Sequence, residues 1–574
     1  MKQNKWFFAV FFIVAVYSIA TIFIISSNLR FTTIDAPNHA MFCVQFYGNV
    51  IDVLNNSELS SIEKIFAFKD VFSEGIAYWP RLLNLSSLPF IFMFGLSVFS
   101  IKMANILYLI VFMIFSYLLA LKLGANKKEA IFITTTLPLY PIILRFLQSY
   151  GLDIPLMSIS VLFFFLLLKT DGFKNTIYSV LAGLALGAGL LIKGQIVIFV
   201  LLPTIIYFFS SMFREFKNKD SYIPLFNIFA NFILFLILSF HIGELWWKGK
   251  YQEMIASLRE HTVSSYKHLE SDPYEELGSI GYYLFYFKYF CLNGFGAILS
   301  AITIIPFFRY IFKRNLPYKK IVLLCLLFSL CMLSCIFRVH QLRYIMPLVP
   351  FLVIIITLGS RFKNIFWTIF FRSLILLTLV FRIYLLTVSD KDLSIYSKLF
   401  AVENSDRIFN DFGSNNSKIA DAFYENFKDY LDPGRYNCLI IRSVSIEDGP
   451  LGIQFWLEMK AHENNYRMLT HDLYDQWISA YYWLKDEPGK YIVLSIKNRY
   501  EEFKGNSIFD KKWLLKNSDK IFFKATEFKN HPCTKIMLDD FFPILKRDAR
   551  KMFEFNVNAY YCEVYEYENV PAAY

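Results

Sequence analysis

The chain has 574 residues, 56% of them hydrophobic and 63 of them Phe, with a formal net charge of +11. That apolar content excludes an ordinary soluble domain, and repeated runs of about 17–25 apolar residues read as membrane spans. Because the positive charge sits largely in short connections between those runs, membrane topology accounts for it better than nucleic acid does.

Apolar segments fall at 6–25, 101–121, 129–146, 154–168, 177–192, 196–211, 223–242, 282–308, 321–337, 344–358 and 364–387. They predict a polytopic α-helical membrane protein of about eleven spans. Lys2 and Lys5 precede the first run as in a signal peptide, but no small-residue cleavage site follows, so a retained span is expected. A further run, Leu82–Val98, contains Asn84, Ser86, Ser87 and Pro89. If it does not cross, Lys2/Lys5, Lys122/Lys127/Lys128, Lys169/Lys174, Arg214/Lys217/Lys219, Arg309–Lys320 and Arg361/Lys363 all share one side. The positive-inside rule makes that side cytoplasmic, with the N-terminus. The loop 26–100 with its interfacial helices, the turns near 147–153 and 193–195, the loop 243–281 and the tail then face outward. The short cytoplasmic loops carry no phosphate-binding GxxxxGK[ST] loop.

The expected division is a membrane domain over 1–387 and an extracytoplasmic domain over 388–574. The latter's mixed polar composition, with strands at Cys438–Ile441, Tyr491–Ile496 and Phe555–Tyr567 and a helical stretch at Leu451–His462, predicts a small α/β fold.

Polar residues of chemical interest lie on the outward connections. Asp35 follows the first span and precedes a helical pattern, Ala40, Cys43/Val44, Tyr47, Ile51 and Leu54, expected to lie on the membrane surface. An aspartate there caps the helix and stays ionised, as a catalytic base requires. His39, one turn later, either orients Asp35 or faces water, the latter being expected. Arg81, Arg145, Lys193, Arg338 and Arg343, with His340, suit a phosphate or pyrophosphate group if they converge; singly, each is equally a snorkelling cation. Asp153 opens a span as a helix cap or as a second acid. His241 and Glu244, at i and i+3, share a helix face and with Asp35 compose an alternative divalent-metal site. Trp246, Trp247 and Tyr251 are expected in an interfacial belt.

Four stretches then combine: the Asp35 motif, Tyr78-Trp79-Pro80-Arg81, the Gly-rich run from Ala182 to Lys193-Gly194, and Leu342-Arg343-Tyr344-Ile345-Met346-Pro347. In that order, over roughly residues 1–360, the chain resembles the GT-C membrane glycosyltransferases. The similarity is to the protein mannosyltransferase and lipid A aminoarabinose transferase group in particular. The resemblance implies inverting transfer of a sugar from a polyprenyl-phosphate donor to a glycan, lipid or protein acceptor on the outer face. Asp35 would be the general base, and Arg81, Lys193 and Arg343 would hold the donor phosphate. No cofactor would be required. Many members carry two adjacent acids in the first loop, whereas Ala36 follows Asp35 here; Asp153 or Glu244 could supply the partner. The composition, rich in Phe, Ile, Lys and Asn, suggests a bacterial plasma-membrane protein. The alternatives are a transporter or flippase of lipid-linked sugars, for which Arg372 and Arg382 in the last span are the main pointers, and a glycan polymerase or ligase.

Overall fold

In the computed structural model, the described residues are 4–27, 36–73, 80–217, 223–250, 252, 283–313, 316–335, 342–387, 396–401, 415–427, 436–443, 456–457, 459–460, 467–472, 490–498, 549–557 and 560–568. The chain divides into two compact units, one of residues 1–28, 49–93 and 99–410, the other of 29–48, 94–98 and 411–574. The expected boundary at 387/388 opens onto 388–395, outside the described residues.

The helices are α1 (Asn4–Ser27), α2 (Ala36–Asn55), α3 (Ser61–Ser73), α4 (Leu82–Phe94), α5 (Val98–Lys102), α6 (Ala104–Lys122) and α7 (Lys127–Thr136). They continue with α8 (Pro141–Leu147), α9 (Asp153–Lys169), α10 (Thr176–Leu190), α11 (Ile196–Lys217), α12 (Ile223–Trp247) and α13 (Phe285–Tyr289). The remainder are α14 (Ala297–Phe312), α15 (Lys319–Cys335), α16 (Val349–Gly359), α17 (Ile365–Thr387), α18 (Ser397–Phe400) and α19 (Asn415–Phe427). Among the described residues, five are long and apolar enough to cross a bilayer straight, or up to seven if two bent pairs each count once. Two expected spans are thus broken. The 129–146 run bends by 59° at Tyr140, where Pro138 and Pro141 interrupt the hydrogen-bond ladder. The 282–308 run bends by 117°, where Gly296 takes a φ of +86°. Helix α4 has 13 residues, about 20 Å of rise against a hydrocarbon core of about 30 Å, so it is too short to cross straight.

Small residues set a close helix contact. Helix α10 lays its glycine face on α12: a Cβ added at Gly183 would lie 2.8 Å from the Phe235 carbonyl oxygen, and one at Gly187 would lie 2.6 Å from Ile242 Cβ. Ser239 Oγ donates to the Gly183 carbonyl across the same contact, at 3.2 Å. This is close backbone packing of the kind that membrane helices use in place of a hydrophobic driving force.

Some of the basic residues expected on one side, Arg309, Lys313, Lys319 and Arg361, gather at one end of the bundle. Asn126 and Glu129 form a capping box that starts α7. The Glu129 carboxylate, buried, is held by Arg361, whose Nε is 2.6 Å from Oε1 and whose Nη2 also bonds Oε2, and by Arg372 Nη2 at 2.8 Å. Arg361 Nη2 reaches the Gly124 carbonyl at 2.6 Å, and Arg372 Nε reaches Ser360 Oγ at 3.1 Å. Deeper in α17, the buried Arg382 donates to the Ala401 carbonyl at 3.3 Å and to Pro141 at 3.5 Å. Both arginines of the last span therefore tie parts of the fold together.

In the second unit, five strands are ordered β2-β1-β3-β5-β4, with β1 (Tyr436–Ser443), β2 (Arg467–Asp472), β3 (Lys490–Asn498), β4 (Ala549–Val557) and β5 (Tyr560–Glu568). Strands β2 and β3 run parallel to β1, while β5 runs antiparallel to both β3 and β4. The stretch Phe555–Tyr567, expected as one strand, is instead the end of β4 and most of β5, paired antiparallel with Val557 opposite Tyr560. Within the 451–462 stretch, residues 456–457 and 459–460 are helical.

Glu129→Gln should leave Arg361 and Arg372 facing a neutral amide in a part-buried setting, costing about 3–5 kcal/mol. Thermal unfolding of the purified protein in detergent checks this; an unchanged midpoint would show that the triad is not stabilising.

Candidate active site

Four segments converge at the opposite end of the bundle. The first is the turn between α8 and α9. Asn105 Nδ2 donates to the Leu147 and Ser149 carbonyls, at 3.1 and 2.6 Å, so a single buried amide holds the turn. Tyr150 fixes the same turn to α4: its hydroxyl lies 2.9 Å from Ser87 Oγ and donates to Asn84 Oδ1 at 3.2 Å. Ser86, on the next position of α4, pairs with Tyr108 of α6 at 2.8 Å. The polar residues that made Leu82–Val98 ambiguous in the sequence are thus its anchors to the bundle.

The second segment is the start of α4, preceded by the buried Arg81. Leu82 N donates to the Leu191 carbonyl at 3.2 Å, joining this helix start to the third segment, the turn between α10 and α11. There Leu191 N bonds Gly187, Lys193 N bonds Gly189 at 2.9 Å, and Ile196 N bonds back to Lys193 at 3.1 Å. The Gly-rich motif therefore has two jobs in sequence: close packing along α10, then a tight reversal that carries Lys193. The Lys193 ammonium lies 3.8 Å from Asp153 Oδ1, at the first residue of α9. It also sits over the Tyr344 ring, 4.8 Å from its centroid. Tyr344 and Arg343 belong to the fourth segment, a 3₁₀ turn over Leu342–Leu348.

Asp153, Lys193, Arg81 and Arg343 are thus on segments in mutual contact or directly hydrogen-bonded, and Arg145 lies on α8, leading into the Asp153 turn. The chemistry of that set is cationic with one internal carboxylate, and its guanidinium groups are donors of the planar, bidentate kind that match phosphate. Lys193 is a point charge held between a carboxylate and an aromatic face, an arrangement that orients it without burying it alone.

Asp35, Arg338 and His340 lie outside the described residues. The described part of helix α2 begins at Ala36. Its buried positions include Ala36, Ala40, Cys43, Val44 and Val50, whereas Leu54, expected on the apolar face, is 49% exposed. His39, expected in water, is buried, because it falls on the Ala36–Ala40–Cys43 face. On α12, His241 is exposed and Glu244 half-buried. Among the described residues no three His, Cys, Asp or Glu side chains come together as metal ligands.

The aromatic belt also needs correction. Trp246 is buried, edge-on to Phe72 at 6.4 Å, with the Lys250 ammonium 3.4 Å over its ring. Lys250 Nζ donates onward to the Ser73 carbonyl, closing the end of α12 over α3. Trp247 is buried too, its indole N–H reaching the Leu190 carbonyl at 3.3 Å beneath the Lys193 turn. Trp247 thus braces the end of α10 that leads into the Lys193 turn. Tyr251 is outside the described residues. Tyr344, Asn105 and Tyr150 were not singled out in the sequence; Tyr344 was nevertheless within the Leu342–Pro347 motif.

No protein-family model and no curated protein sequence matches the chain. Solved structures do. The apo structure of ArnT from Cupriavidus metallidurans aligns with a TM-score of 0.52 at 14% identity, over 90% of this chain and 95% of that one. The structure of the same protein bound to undecaprenyl phosphate aligns with a TM-score of 0.52 at 12% identity, over 96% and 97%. The oligosaccharyltransferase AglB from Archaeoglobus fulgidus, in complex with an inhibitory peptide and a dolichol-phosphate, aligns at 0.44 and 12%, over 85% and 67%. The fold is therefore similar to that of ArnT, as the resemblance implied.

Asn105→Leu should release the Leu147 and Ser149 carbonyls and loosen the Asp153 turn, at about 1–3 kcal/mol for each carbonyl left unpaired in a buried setting. The measurement is a denaturation midpoint, and equal midpoints for variant and native chain would contradict the role given to Asn105.

Proposed function

We propose that this chain is an integral membrane glycosyltransferase that moves a sugar from a polyprenyl-phosphate donor to an acceptor on the outer face, with inversion. The observation that carries the reading is the Lys193 turn, paired to Asp153, stacked on Tyr344 and hydrogen-bonded to the start of α4 beside Arg81. It belongs to a fold shared with a protein that has been seen with undecaprenyl phosphate bound.

The chemistry follows from the charges. Asp35 takes the proton of an acceptor hydroxyl, whose oxygen attacks the anomeric carbon from the face opposite the phosphate. The bond from that carbon to the phosphate oxygen breaks, and its electron pair leaves with the polyprenyl phosphate. Negative charge grows on the leaving phosphate, and in this reading Arg81, Lys193 and Arg343 stabilise it, with Arg145, Arg338 and His340 as the further donors proposed. A positioned base contributes typically about 10²–10⁴-fold. Asp153 keeps Lys193 aimed, and the second acid that Ala36 does not provide comes from Asp153 or Glu244 or is absent from the scheme. No metal is needed for this scheme; Asp35 with His241 and Glu244 is the alternative if one is used.

Orientation rests on the basic end of the bundle being cytoplasmic, in a bacterial plasma membrane, which faces the site outward. About eleven crossings then require α9, α10, α15 and α16 to span with help from their bent neighbours. The domain expected over 388–574 is then outward and helps to bind acceptor. A transporter would keep ionisable groups along a midplane pathway. Here Arg372 and Arg382 instead bond Glu129 and backbone carbonyls, which favours the enzyme.

Sugar transfer from polyprenyl-phosphate donors in membranes tests the reading. Asp35→Asn should lower transfer about 10²–10⁴-fold with donor binding retained. Lys193→Met should weaken donor binding as well. Full transfer by Asp35→Asn would remove Asp35 as the base and leave Asp153 and Glu244 to be tested.

A further inference from the structure

The end of the bundle away from the candidate site holds a second group of cations, built differently. Arg309, at the end of α14, donates through Nη1 to the Gly359 carbonyl and through Nη2 to Arg361, both at 3.2 Å, with its guanidinium 3.7 Å over the Phe362 ring. Lys313 Nζ donates to the Leu358 carbonyl at 2.7 Å. Lys319 Nζ donates to the Ile311 and Lys313 carbonyls, both at 2.5 Å. Arg361 and Arg372 close the group around Glu129.

Capping explains part of this. The last carbonyls of α16 attract cations, and Arg309 and Lys313 supply them. Capping does not explain the charge balance. Five cations, Arg309, Lys313, Lys319, Arg361 and Arg372, gather there, and among the described residues the carboxylate paired with them is Glu129, through Arg361 and Arg372. Burial, then Arg361 and Arg309, and also Arg372, press the Lys313 ammonium down to about 8 against the opposing pull of Glu129. Donors also remain. Nη1 of Arg361 and Nη1 of Arg372 bond no acceptor among the described residues, and their side chains stay 29% and 19% accessible. The group lies near where α7, α14, α15, α16 and α17 begin or end, where apolar helices give way to polar connections.

We propose that this inter-helix cluster of Arg309, Lys313, Lys319, Arg361 and Arg372 is a binding site for the phosphate of an anionic phospholipid headgroup. A phosphodiester there accepts from the outward guanidinium N–H groups and the Lys313 ammonium, and supplies the negative charge that Glu129 alone does not. Basic pockets between membrane helices bind anionic headgroups by this chemistry. The site is independent of the sugar-transfer reading and stands or falls separately from it.

The test is native mass spectrometry of the full-length protein titrated with phosphatidylglycerol, phosphatidylcholine or inorganic phosphate. Phosphatidylglycerol is expected to bind in preference to phosphatidylcholine. Lys313→Gln and Lys319→Gln are each expected to weaken it about five-fold, the effect of one charge at a membrane surface. Lys217→Gln, an equal change of charge at an exposed position of α11, is expected to leave binding unaltered. Thermal unfolding confirms that each variant is folded, and either lysine variant alone suffices for the comparison. Equal binding of the two lipids, or loss of affinity that is the same for Lys217→Gln, overturns the site. Inorganic phosphate displacing the lipid at equal concentration overturns the assignment to a lipid headgroup.

Discussion

A charge set among apolar helices must be met by an opposite charge or by backbone carbonyls, because desolvation otherwise outweighs any packing gain. The first unit is arranged around that constraint. Glu129 sits against Arg361 and Arg372, Arg382 against the carbonyls of Ala401 and Pro141, and Lys193 against Asp153 and Tyr344. Each pairing joins segments distant in sequence, so satisfying the charge also fixes the fold. Glu129 alone connects the start of α7 to the approach to α17 and to its interior.

The two ends of the bundle use the same residue types for different ends. Around Glu129 the cations are largely consumed by helix carbonyls and one carboxylate, which makes that end a structural knot with a residual positive charge. At the candidate site the cations ride on short turns: Lys193 between α10 and α11, Arg343 in a 3₁₀ turn, Arg81 at a helix start. Turns held by a few strong bonds present side chains without committing them to helix faces. That is the disposition expected where a phosphate must enter and leave.

The supporting layer beneath the site is polar and buried. Asn105, Tyr150, Asn84 and Ser87 bind one turn to two helices, and Trp247 bonds the Leu190 carbonyl below Lys193. In a low-dielectric interior such bonds are stronger than in water, and leaving one unmade costs more. Rigid support of this kind is what allows a few cations to act as a preorganised cradle.

Hydropathy and charge placement in the sequence were enough to determine a helical membrane protein, the basic ends that gather together and the order of the motifs. These are local properties: an apolar run or a lysine at a helix end has the same meaning in any fold. The Gly-rich stretch was legible only as one piece of the resemblance; its close packing on α12 came from the structure. Only the tertiary structure decided that Lys193 meets Asp153 and Tyr344, that Trp246 and Trp247 are buried, and that His39 faces inward. It also broke two apolar runs at Tyr140 and Gly296 and split Phe555–Tyr567 between two strands. Such outcomes depend on which distant segment each residue packs against, and hydrophobic periodicity carries no record of the partner.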